Sequence, residues 1–225
     1  MNNKIETKKK TRNLENLSKK FDVFIFDWDG TLTELKILRT LDQKYGVYWF
    51  YKQLRYGKYK HAKLNEKFNK KDSKFEEFKE YILSIFADFY LTLFKPKLHN
   101  NVIEMLKLLK QKNKKVILFT NGTEWRIKRE LEIFNIQDLF DDVVSAQKLK
   151  VIKPNPTGLN KIIKEHHMKK SRIIYVGDMV DDIVMAKAAN VNSCAILGGF
   201  DDKISLMKAE PDFIFSSIEE LLKNL

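Results

Sequence analysis

The sequence predicts an α/β fold, a parallel sheet with helices on both faces, interrupted after its first strand by a helical insert. Three observations carry this reading. Short apolar runs rich in β-branched and aromatic residues recur along the chain, as strands buried on both faces require. Between them lie stretches whose apolar residues are three or four apart, the spacing of amphipathic helices. Residues 34–95 contain no convincing strand, yet hold 15 of the 27 aromatic residues.

At 225 residues and 44% apolar composition, the chain can bury one sizeable core and support a small accessory domain. Residues 1–20 carry seven Lys/Arg against two Asp/Glu and no apolar run, so they read as a basic, flexible tail and not as a secretory signal. The first strand is Val23-Phe24-Ile25-Phe26. In the insert, Phe75, Phe78, Ile82, Ile85, Phe86 and Phe89 keep helical spacing, and Lys95-Pro96 marks its end. Strand and helix then alternate. Val102, Met105, Leu106 and Leu109 form a helical stripe before the strand Val116-Ile117-Leu118-Phe119. Ile127, Leu131 and Phe134 precede the strand Asp142-Val143-Val144-Ser145, and Leu159, Ile162 and Ile163 precede Ile173-Ile174-Tyr175-Val176. A helix over residues 183–189 leads to Ser193-Cys194-Ala195-Ile196-Leu197. The last strand, Phe213-Ile214-Phe215, is followed by a helix with Ser217 as N-cap and Glu219 and Glu220 in its first turn. The core is therefore expected over residues 21–33 and 96–225. The single cysteine, Cys194, reads as a buried strand thiol and can form no internal disulfide.

The net charge of +12 is concentrated in the tail (+5) and in residues 34–95 (+6). Such a field attracts anions, either phosphorylated metabolites or nucleic acid, although a lysine-rich solvated surface has the same composition. No window approaches the run of about 20 apolar residues that crosses a bilayer, so no membrane association and a cytoplasmic location are expected.

Chemistry-bearing residues gather where strands end, the edge of a parallel sheet at which ligands bind. The first strand runs into Asp27-Trp28-Asp29-Gly30-Thr31-Leu32-Thr33. One carboxylate there is suited to nucleophilic attack, giving an aspartyl-phosphate, and the second to proton transfer. Thr120-Asn121-Gly122 follows the second strand and offers a hydroxyl and backbone N–H groups to phosphate oxygens. Lys153, in Lys153-Pro154-Asn155-Pro156, supplies a cation, and Gly177-Asp178-Met179-Val180-Asp181-Asp182 an oxygen-rich cluster of the kind Mg²⁺ prefers. His61, His99, His166 and His167 lie outside these motifs, which argues against a zinc site.

Together the four motifs, in this order from residue 21 to the C-terminus, resemble the haloacid dehalogenase-like hydrolase superfamily in its phosphatase branch, of the phosphoglycolate phosphatase type. The resemblance implies a Rossmann-like core, Asp27 as nucleophile, Asp29 as acid and base, Thr120 and Lys153 as phosphate ligands, and Mg²⁺ held by Asp27, the Asp29 backbone carbonyl and Asp178. Asp182, rather than Asp181, takes the second acidic position, acting through water or by orienting Lys153. Asp29 argues against dehalogenation, which needs no leaving-group proton. Trp28 and Met179 depart from the common pattern. The insert at 34–95 falls where the superfamily places a helical cap, and within it Tyr51, Arg55, Tyr56 and Lys58 form a basic-aromatic cluster, with Arg55 the candidate substrate contact. The expected substrate is a small phosphate monoester: a phosphoglycolate-like acid, a sugar phosphate or a nucleotide. A phosphoglucomutase-like phosphotransferase and a nucleic-acid-binding protein or end phosphatase are the alternatives.

Overall fold

Strand β1 (Val23–Phe26) sits inside a six-stranded sheet with β2 (Lys115–Thr120), β3 (Asp142–Ser145), β4 (Ile173–Gly177), β5 (Asn192–Ile196) and β6 (Phe213–Phe215), in the order β3-β2-β1-β4-β5-β6. Each neighbouring pair is parallel. The computed structural model describes residues 16–34, 97–146, 149 and 151–225. Between the strands run α2 (Val102–Gln111), α3 (Glu124–Phe134), α4 (Thr157–Glu165), α5 (Val180–Ala188) and α6 (Lys203–Lys208), with a single turn, α1 (Leu17–Lys20), before the sheet and α7 (Ile218–Lys223) after it.

Strand periodicity sorts the core into two layers. Phe24, Phe26, Val116, Leu118, Ile174 and Val176 pack with residues of α2, α3 and α7 on one face. Val23, Ile25, Ile117, Phe119, Ile173 and Tyr175 pack with residues of α4 and α5 on the other. Both faces are covered, which is why the strands carry unbroken apolar runs; each such side chain contributes roughly 1.5–3 kcal/mol on burial. The order reverses direction at β1, whose neighbours β2 and β4 lead to opposite edges of the sheet. That reversal opens a crevice at the carboxyl ends of the strands.

Two expectations need correction. The boundary drawn at residue 20 falls inside folded structure: Leu17 is fully buried, and Lys19 N–H donates to Asn16 Oδ1 at 3.2 Å to cap the turn. The strand at Asp142–Ser145 was read as buried, but three of its four residues are only half-buried, because β3 is an edge strand. The last helix matches its reading, with Ser217 Oγ accepting from Glu220 N–H.

The insert expected at 34–95 lies, beyond Glu34, outside the described residues. The described residues that flank it are held side by side. Thr33 and Leu98 form an antiparallel bridge. Glu34 N–H donates to Lys97 O at 2.7 Å and His99 N–H to Leu32 O at 2.9 Å, so the chain leaves and rejoins the core at one point, just past β1. Among the described residues, no helix is long and apolar enough to cross a membrane.

Candidate active site

Asp27 follows the last residue of β1. Strand alternation gives it the parity of Val23 and Ile25, toward the layer that contains Tyr175, and it is only 4% exposed. Lys153 comes from the loop before α4 and places its ammonium 2.6 Å from Asp27 Oδ1 and 2.7 Å from Asp182 Oδ1. The same Nζ donates to the Tyr175 hydroxyl at 3.2 Å, and that hydroxyl donates to Phe119 O at 2.9 Å. Lys153 is itself 3% exposed. Burial opposes its charge, but Asp182 and Asp27 outweigh that and hold its pKa well above the ordinary value. Burial pushes Asp27 up to about 7, against the pull of Lys153 and with the added repulsion of Asp182 and Asp29.

Asp178 and Asp182 complete the acidic side. Each of Asp27, Asp178 and Asp182 offers an oxygen lying within 4.8 Å of the others. Asp178, fully buried, accepts from Thr31 Oγ1 at 2.7 Å and from Phe200 N–H at 2.6 Å. Burial, followed by repulsion from Asp27 and Asp182, drives its pKa well up. Asp182 spends one oxygen on Lys153 and the other on Met179 N–H at 3.0 Å, at the start of α5. Hard oxygen donors that repel one another in a desolvated pocket suit Mg²⁺, and a bound dication would relieve that repulsion. Gly177 and Gly199 make the close packing feasible, since a Cβ on the first would collide with Asp182 and on the second with Asp178.

Asp29 lies just past the strand end. Gly30 follows at φ 86°, a left-handed conformation that favours glycine, and turns the chain so that Gly30 N–H reaches Thr33 O at 3.1 Å. Both Asp29 oxygens are taken by Arg126 of α3, Oδ2 at 2.6 Å and Oδ1 at 3.0 Å. Thr120 ends β2 and is buried. The loop after it is more internally satisfied than the sequence suggested. Gly122 N–H donates to Thr120 Oγ1 at 3.1 Å, and Asn121 Oδ1 accepts from Lys153 N–H at 3.0 Å. Asn121 thus ties the Lys153 loop to β2. Arg55 and its basic-aromatic neighbours lie outside the described residues.

A haloacid dehalogenase-like hydrolase family model matches residues 24–196, which is most of the chain. The chain belongs to this family. Among curated haloacid dehalogenase-like relatives, the phosphoglycolate phosphatase of Haemophilus influenzae (strain ATCC 51907 / DSM 11121 / KW20 / Rd) is 30% identical over 57% of this chain and 58% of its own length. That of Vibrio vulnificus (strain YJ016) is 30% identical over 65% of each. The chain thus matches less than two thirds of the length of these relatives. A solved structure of a predicted phosphoglycolate phosphatase from Haemophilus somnus 129pt superposes with TM-score 0.64 at 23% identity, covering 91% of this chain and 97% of that one. A haloacid dehalogenase-like family protein from Streptococcus pneumoniae superposes with TM-score 0.63 at 19% identity, covering 91% and 98%.

The four sequence motifs mark Asp27, Asp29, Lys153, Asp178 and Asp182, but not the residues that support them: Thr31, Tyr175, Arg126, Glu130 and Phe200. Thr31 stood inside the first motif and was legible there as a hydroxyl beside the acids. Arg126 and Glu130, four apart on a helix, have the spacing of an ordinary solvated pair. Only packing reveals that both are buried.

Proposed function

We propose that the chain is a Mg²⁺-dependent phosphohydrolase of small phosphate monoesters, with Asp27 as nucleophile. The observation that carries this reading is the buried Lys153 ammonium 2.6 Å from Asp27 Oδ1, at the carboxyl edge of the sheet. A carboxylate held there against a fixed cation is placed to attack phosphorus while the cation offsets phosphoryl charge.

In the first step an Asp27 oxygen bonds to phosphorus, the bond to the leaving oxygen breaks, and Asp29 gives that oxygen a proton. In the second, water attacks phosphorus of the aspartyl-phosphate, Asp29 takes the water's proton, and the Asp27 oxygen–phosphorus bond breaks to release inorganic phosphate and restore the carboxylate. Lys153 and the Thr120 hydroxyl hold phosphoryl oxygens through both steps. Asp182 keeps Lys153 aimed at Asp27, the second of the two roles open to it. Mg²⁺ bound to the Asp27 and Asp178 carboxylates and the Asp29 backbone carbonyl would add positive charge against the phosphoryl group. Residues 34–95, flanked by the Thr33–Leu98 bridge just past β1, would serve as the cap that excludes water and selects the leaving group. A phosphoglycolate-like acid is the leading substrate class, because relatives across several bacteria carry that name.

A phosphate-release screen over phosphorylated metabolites with Mg²⁺ tests this. Release from a small monoester is expected, with loss in Asp27→Asn and in excess chelator; full activity of either would overturn the mechanism.

A further inference from the structure

Trp28 stands between the two motif aspartates, where nothing in the proposed chemistry requires a large indole. It is fully buried, and its Nε1–H donates to Glu130 Oε2 at 2.5 Å. Glu130 in turn accepts from Arg126 Nη1 at 3.1 and 3.3 Å. Arg126 then reaches both oxygens of Asp29, the residue after Trp28. The four side chains close a ring that begins and ends on the same dipeptide.

Each link is built, not incidental. Arg126 is 1% exposed and Glu130 5% exposed, so two charges have been taken out of water, which their local pairing must offset. Burial raises the Glu130 pKa even with Arg126 beside it. The guanidinium also needs Gly122, since a Cβ there would collide with Arg126 Nη2. A planar fork that meets a carboxylate by two parallel bonds fixes its direction as well as its distance, which an ammonium does not.

We propose that Arg126 is the positioning residue for Asp29, held in register by Glu130 and Trp28, and that it sets the aim of the group that serves the leaving oxygen. The proposal rests on the reading of Asp29 as the acid and base. Arg126 touches Asp29 and acts through it; Trp28 is thereby the anchor of α3 to the first motif. Asp29 lies between the end of β1 and residue 34, and the same clamp ties it to α3.

The test compares p-nitrophenyl phosphate with phenyl phosphate, whose leaving oxygen is the more basic and depends more on a well-aimed proton donor. Removing Arg126 alone would strand Glu130, so the variants are Arg126→Lys, which keeps the charge and loses the fork, and the double variant Arg126→Gln/Glu130→Gln, which removes both charges. Folding is checked by thermal melting. The ratio of kcat/KM for p-nitrophenyl to phenyl phosphate is expected to rise about tenfold or more in both variants. A wild-type ratio in either variant, or a parallel fall on both substrates as a merely structural role would give, overturns the proposal. Asp29→Asn separates the two readings. If it raises the ratio and the Arg126 variants do not, only the positioning role fails; if it leaves the ratio unchanged, the acid-base reading fails and the proposal with it.

Discussion

At the residue scale, the site is a set of charges kept out of water and balanced against one another. Lys153 serves two carboxylates, Asp27 and Asp182. Asp182→Asn leaves that cation underpaired in a buried setting, and a loss of about 3 kcal/mol is expected in urea unfolding, together with a fall in kcat. The proton balance of Asp27 gives a second expectation. Its pKa is pushed from 3.8 up to about 7, so between those values the folded protein holds a proton that the unfolded chain has lost. By linkage this group's contribution to stability falls as pH rises through that window. On the proposed reading, Mg²⁺ held by Asp27 would displace the same proton, so its affinity should climb as pH rises toward about 7. Calorimetric titration across that range measures this, and a flat affinity would contradict it. That Asp27, Lys153 and Asp178 gather at one place was legible because their motifs mark them. Arg126 was not, because a surface pair and a buried clamp are spelled alike.

Elements carry these side chains to one place. β1, β2 and β4 start together as well as end together: Asp22, just before β1, receives Arg172 Nε at 2.7 Å and Lys114 Nζ at 3.3 Å, residues that directly precede β4 and β2. The Arg172 hydrogen bond leads in lowering the Asp22 pKa from 3.8 to about 2, helped by Lys114 against a smaller opposing effect of burial. A depressed carboxylate stabilises above its unfolded pKa and loses that contribution as pH falls through its folded one. Asp22 is half-exposed, so Asp22→Asn should cost under about 1 kcal/mol near neutrality, and the difference should vanish by pH of about 2 in denaturant titrations. Packing of α2 is worth more. Leu109 is fully buried against the sheet, and Leu109→Ala should cost about 2–4 kcal/mol in the same assay. Helix stripes and strand runs were readable here because each element must bury one stripe or both faces. The half-buried β3 was misread because position in the sheet, unlike composition, decides which strands are edges.

At the scale of the whole molecule, two apolar layers on one sheet make a core whose opening must be largely cooperative. Cys194 reports on it. The thiol is fully buried in β5, and burial, aided by Asp212, drives its pKa far upward. Reaction with a thiol reagent should therefore track global unfolding, with a rate that follows urea in parallel with the loss of circular dichroism; rapid labelling in native buffer would contradict the packing. The sequence by itself determined the alternation of strand and helix, the parallel sheet and the four strand-end motifs, because these depend on periodicity and on residue type at the end of an apolar run. Tertiary structure alone decided the strand order, the pairing of Thr33 and Glu34 with Leu98 and Lys97, the division of Lys153 between Asp27 and Asp182, and the clamp of Arg126 on Asp29. Those depend on distances between residues as many as 150 positions apart, as Val23 and Ile173 are, and on whether water reaches them, which no local pattern encodes.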